Sequence, residues 1–107
     1  MVTITRRDLL PGQQAVQSAH AAINFIYEHS DRAGPWFYDS NYLVMLSVED
    51  EQDLIKMIHK CNLKGLSISV FHEPDLNDAI TAIAIEPSEQ TQKLVSHLPL
   101  LLKNKTN

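Results

Sequence analysis

The chain has 107 residues, 44% of them hydrophobic, with only 3 Gly and 5 Pro. That length and apolar content suit one core and exclude a fibrous repeat or a disordered tract. A formal net charge of -4 argues against a broadly cationic nucleic-acid binder, because Lys and Arg supply most non-specific affinity for phosphate.

Residues 2–7 alternate and are β-branched, which predicts a first strand, ended by the turn Asp8-Leu9-Leu10-Pro11-Gly12. Residues 12–29 change period. Ala15, Ala19, Ala22, Ile23 and Ile26 recur on one face of a helix, which is the expected buried stripe. Residues 30–41, with Gly34-Pro35-Trp36 at their centre, have turn chemistry and no period, so a long loop is expected there.

Residues 42–48 are almost continuously apolar, the pattern of a central strand covered on both faces. Ser47, Glu49 or Asp50 can cap the following helix, whose buried face is marked by Leu54, Ile55, Ile58 and Cys61 and whose end is Lys64-Gly65. Residues 66–71 are a third strand, 72–78 a polar turn and 79–85 a fourth strand. Ser88 then caps a last helix through about residue 97, and residues 98–102 pack on the body. The expected fold is α/β: one domain over residues 1–107, with a mixed four-stranded sheet flanked by helices in the order β-α-β-α-β-β-α. Its first strands are joined by right-handed crossovers and its last two form a hairpin.

The charge is unevenly placed. Arg6, Arg7, Lys103 and Lys105 are basic, while Glu49, Asp50, Glu51 and Asp53 gather where the second helix begins. The lone Cys61 sits at a helical spacing suited to a small buried hydrophobe. No apolar run approaches the roughly 18 residues of a membrane span, and the first residues are too short and polar for a signal peptide. A cytoplasmic, reducing setting is the expectation, with no membrane partner.

At about 100° per residue, Gln13, Gln17, His20 and Asn24 form one polar ridge on the first helix. Four hydrogen-bonding side chains differ from an ordinary Glu/Lys face, and His20 is the one among them suited to acid–base chemistry. The plain alternative is a solvated surface with a stray histidine. Free backbone N–H groups near Gly12 and Gln13 suit an anion or oxyanion, unless Pro11-Gly12 is simply a tight connection. Glu73, Asp75 and Thr81 collect around the turn before the fourth strand, where a carboxylate can orient His20 as a general base. Trp36 suits stacking on a base or ribose, or plugging the core. The sequence has no Cys-X-X-Cys, His-Glu-X-X-His, phosphate-binding glycine loop or Gly-X-Ser-X-Gly motif, so no metal or other cofactor is expected.

The order of motifs resembles the type 2 peptidyl-tRNA hydrolase family. The resemblance runs through Arg6-Arg7-Asp8-Leu9 and then Gly12-Gln13-Gln14-Ala15-Val16-Gln17-Ser18-Ala19-His20-Ala21, where the family has Gly-Lys-X-Ala-Ala-Gln-X-X-His-Ala. It continues through Lys64-Gly65-Leu66 and Thr81-Ala82-Ile83-Ala84-Ile85-Glu86-Pro87, where the family strand reads Thr-X-X-Ala-Ile-Gly-Pro. The chain differs at Gln13, which stands at the family's lysine, in a shorter loop before Gly12, and in His72-Glu73-Pro74-Asp75-Leu76, which replaces Asp-Ala-Gly-Arg-Thr.

The resemblance implies water-driven hydrolysis of the ester joining a peptide to tRNA. It carries His20, Thr81 and either Glu73 or Asp75 to the catalytic positions with Gln17 beside them; together with the residue-level reading, Arg6, Gly12, Gln13, Gln17, Asn24 and Trp36 are the expected substrate contacts. It implies tRNA or peptidyl-tRNA as partner, no cofactor, and a homodimer. The alternative is a non-catalytic module whose same surface binds protein or RNA.

Overall fold

The computed structural model describes residues 1–103; the basic Lys105 lies outside them. The elements are β1 (Val2–Arg6), α1 (Pro11–Glu28), α2 (Ser30–Tyr38), β2 (Val44–Val48), α3 (Glu51–Leu63), β3 (Ile68–Glu73), a 3-10 turn (Pro74–Leu76), β4 (Ala79–Ile85) and α4 (Glu89–Val95). The four-stranded sheet has the order β2-β1-β4-β3. β1 and β2 are parallel, whereas β4 runs antiparallel to both β1 and β3. This is the mixed α/β sheet expected, with the last two strands as a hairpin.

Alternation along the strands divides the core in two. Val2 and Ile4 of β1, with Ile83 and Ile85 of β4, pack against Leu54, Met57 and Cys61 of α3 and Val95 of α4. On the other face, Ala82 and Ala84 pack against Ala21 and Phe25 of α1 and Ala33 and Trp36 of α2. Burial pushes the Cys61 thiol up to about 11, with Glu86 adding to the effect, so it is a neutral core group.

Four expectations change. Residues 30–38 are helical: His29 closes α1 through its N–H to the Phe25 carbonyl, and its own carbonyl accepts from the Arg32 and Ala33 N–H groups to start α2. Burial of Ala33 and Trp36 overrides the weak helix propensity of Gly34 and Pro35. The strand expected over residues 42–48 begins at Val44 and is an edge, not a centre. Its outer side is occupied by the tail, through Ser47 N–H to the Pro99 carbonyl at 3.0 Å and Leu101 N–H to the Met45 carbonyl at 2.8 Å. Third, the strand expected over 66–71 lies at Ile68–Glu73, so His72 and Glu73 belong to β3 rather than to the turn.

The fourth change concerns α1, which is turned over relative to its alanine and isoleucine stripe. Its buried residues are Gln14, Gln17, Ser18, Ala21 and Phe25, while Ile23 is 62% exposed. The sheet beneath it presents Thr3, Thr5, Ser69, Ala82 and Ala84, all buried. Small side chains there leave room for a polar helix face to approach, and that face finds its own partners in the Leu9 and Gln14 carbonyls and in Thr81 and Glu73.

The helix ends follow their capping chemistry. Asp50 accepts from Asp53 N–H at 3.0 Å to start α3, and Ser88 accepts from Thr91 N–H at 3.2 Å to start α4. Gly65 takes φ of +69° just past α3, the left-handed conformation glycine adopts without cost from a Cβ.

Candidate functional site

The site forms where α1 crosses the ends of β3 and β4. The pairing of β3 with β4 skips one residue: His72 faces Ile80 and Phe71 faces Ala82, leaving Thr81 as the extra residue of a bulge. Without it, Thr81 would share the α3-facing side of Ile83. The bulge turns its side chain toward α1, as such irregularities do beside functional groups.

There the Thr81 hydroxyl donates to Gln17 Oε1 at 2.6 Å, and Gln17 Nε2 donates to Glu73 Oε1 at 2.9 Å. The carboxylate only accepts, so it holds the amide NH2 toward β3, and the amide oxygen in turn requires Thr81 to donate. Thr81's hydroxyl proton is thereby committed and only its lone pairs are free. Thr5 Oγ1 donates to the Thr81 carbonyl at 2.7 Å, which ties β1 into the same network, and Glu73 Oε2 accepts from Asp75 N–H at 3.4 Å. Thr81 is fully buried, whereas Glu73 is half-buried and Asp75 exposed. The network thus runs from the core to the surface.

One turn along α1, the exposed His20 lies flat on Phe71, with ring centroids 4.4 Å apart and planes 2° from parallel. Phe71 and Glu73 share a face of β3, so α1 sets Gln17 over Glu73 and His20 over Phe71. Glu73 is bonded to the amide of Gln17, and among the described residues no carboxylate is hydrogen-bonded to the ring of His20. Asn24 follows a turn later, half-buried.

Arg6 grips Asp8 with two hydrogen bonds of 2.9 Å and donates to the Ile80 carbonyl at 3.1 Å. That bonding raises the pKa of Arg6 and lowers that of Asp8. Glu51 accepts from Ile80 N–H at 2.8 Å. Arg6 and Glu51 therefore hold the carbonyl and the N–H of Ile80, the residue just before Thr81.

Gly12 lies in the exposed first turn of α1. Gln13 turns back on its own helix, accepting from Leu10 N–H at 3.1 Å. Trp36 is not brought to this group: its indole donates to the Tyr42 carbonyl at 2.7 Å and its ring packs in the core with Met1 and Phe25, the plugging alternative. Among the described residues, no three His, Cys, Asp or Glu side chains cluster as metal ligands, and no helix is long and apolar enough to cross a membrane.

Three participants were not foreseen. Gln14 is buried, donates to the Leu9 carbonyl at 2.7 Å and leaves its own oxygen unpaired. Phe71 reads only as a strand hydrophobe, and nothing in its spacing marks a partner for His20. Thr5 differs from Thr3 only through the bulge across from it.

Comparison with known proteins gives a consistent picture. The family model described as Peptidyl-tRNA hydrolase PTH2 matches residues 1–101. A protein of Methanocaldococcus jannaschii named peptidyl-tRNA hydrolase is 29% identical over 114 aligned positions, covering 94% of this chain and 98% of that one. Proteins of the same name from Thermococcus onnurineus and Staphylothermus marinus are each 27% identical, covering 94% of this chain and 95% and 93% of their own lengths.

Proposed function

We infer the activity from kinship and geometry together: the chain belongs to the peptidyl-tRNA hydrolase PTH2 family, and its reaction is hydrolysis of the ester between a peptide and the 3′ ribose of tRNA. Water adds to the ester carbonyl, the tetrahedral intermediate collapses, and the ribose oxygen leaves with a proton. The products are a free peptide carboxylate and tRNA with a free hydroxyl. The observation that carries this reading is the Thr81–Gln17–Glu73 network, which unites family motifs 64 residues apart on one buried support.

In this reading His20, exposed at the rim, takes the proton from the attacking water, while Glu73, held by Gln17, and Asp75 beside it set the local field. Gln17 and Thr81 position these groups. The first-turn N–H groups near Gly12 and Gln13 face the developing oxyanion, with Arg6 and Asn24 flanking the substrate. Trp36 supports the reading only indirectly, through the core that holds α2. Translation and a cytoplasmic place of work follow from such a substrate. Hydrolysis in 18O-labelled water tests the chemistry: label in the released carboxylate is expected, and label in the tRNA hydroxyl would contradict attack at the carbonyl.

Pairing into a homodimer is the companion proposal. Val16, Ile23, Ile26 and Tyr27 line the outer face of α1 at 46–87% exposure, an apolar stripe that a second copy would cover. Sedimentation should show a dimer that Ile23→Glu dissociates; a monomer at high concentration would reject it.

A further inference from the structure

We propose that the face built from α3 and α4 is the track on which the RNA backbone of the substrate lies, an extension that rests on the peptidyl-tRNA reading above. The net charge of -4 hides a local clustering of cations on this face, which also carries Glu49, Asp50, Glu51, Asp53 and Glu89 near the helix starts. Of nine Lys and Arg residues, five line two crevices on this one face: Arg7, Lys56 and Lys60 in the first, and Lys64 and Lys93 in the second. The α1–α2 side carries Glu28, Asp31 and Asp39, and its Arg32 is already engaged with the buried Glu86 at 3.3 Å.

Lys56, Lys60 and Lys64 recur every four residues, so they form a stripe with about 6 Å between successive positions along the axis. The two carboxylates of the first crevice are matched already, Glu49 facing Arg7 at 4.0 Å and Asp53 facing Lys56 at 3.9 Å. Among the described residues, Lys60, Lys64 and Lys93 have no carboxylate at ion-pair distance. Their charge is uncompensated in an otherwise acidic protein.

The stripe also begins in the right place. Arg7 adjoins Arg6, and Glu51 at the start of α3 holds the Ile80 N–H, one residue before Thr81. A strand whose 3′ end sits at the Gln17–Thr81 network would leave the site past Arg7, which lines one crevice with Lys56 and Lys60, and skirt the acidic residues 49–53 at the start of α3. Flexible ammonium groups bind phosphates as point charges without reading bases, which suits an enzyme whose substrates share a backbone but differ in sequence.

The test is binding of deacylated tRNA across a salt series, measured separately from hydrolysis. The parent is compared with Lys60→Gln/Lys64→Gln and with Ser30→Glu/Ser40→Glu, which makes the same change in net charge on the α2 side. The α3 variant should lower the slope of log affinity against log salt by about 1.4 to 1.8, and the control should leave the slope in place. Equal slopes for parent and α3 variant would overturn the track, as would binding of polyglutamate but not tRNA by the parent. A parent that binds tRNA but hydrolyses nothing, with the slope still lowered in the α3 variant, would keep the track and remove the hydrolase reading.

Discussion

The hydroxyl of Thr81 donates a 2.6 Å hydrogen bond to Gln17 Oε1 inside the protein, and this contact joins the helix and strand on which the candidate site depends. Thr81→Val keeps the shape but removes the proton, leaving the amide oxygen buried and unpaired. The expected loss is about 1–3 kcal/mol of stability, seen as a lower urea midpoint, with reduced hydrolysis. Thr81→Ser, which restores the donor, should recover most of the hydrolysis; full hydrolysis by Thr81→Val would show that the contact is only structural.

Glu86 stands where the family strand has glycine, and its buried carboxylate accepts from Ser67 N–H at 2.7 Å and from Arg32 at 3.3 Å. The two partners are unequal. Glu86→Ala orphans a backbone donor and should lower stability by about 1–3 kcal/mol. Arg32 is half exposed, so Arg32→Ala should cost no more than about 1 kcal/mol. Chemical denaturation of both variants checks the ranking, and equal losses would refute it.

The Arg6 guanidinium holds the Asp8 carboxyl below its ordinary value of 3.8. A depressed carboxylate contributes stability that is present above the unfolded value and lost as pH falls through the folded one. Parent and Asp8→Asn should therefore differ in stability near neutrality and converge in acid below 3.8. A gap that persists unchanged in strong acid would point to a cause other than this ion pair.

Much of this was legible in the residues. The family motifs brought Gln17 and Thr81 forward with Glu73 or Asp75 as the loop carboxylate, and capping chemistry offered Asp50 among three candidates and Ser88 by itself. The orientation of α1 was not legible, because hydropathy assigns alanine and isoleucine to the inside and glutamine to the outside. Here the sheet face beneath α1 is threonine, serine and alanine, and these small side chains leave room for Gln14, Gln17 and Ser18 to lie inside. The bulge at Thr81 was equally silent, since it is a property of pairing between strands. Helix α2 was missed because Gly34 and Pro35 carry the local signal, whereas Trp36 and Ala33 carry the packing.

Gln13 accepts from Leu10 N–H at the start of α1, at the position where the family has lysine. Gln13→Lys removes that exposed bond, at an expected cost of about 0.5–1 kcal/mol, and adds a cation at the helix end. Turnover of N-blocked aminoacyl-tRNA should rise at low salt while the melting temperature falls slightly. A fall in turnover by a folded variant would show that the amide itself is used.

The most direct test is release of free tRNA from N-acetylated aminoacyl-tRNA by the purified chain and its His20→Ala variant. His20 is exposed, so the variant should fold. The account predicts steady release by the parent and a loss of about 100-fold or more in the variant. No release by the folded parent, at low or moderate salt, would contradict the hydrolase reading itself.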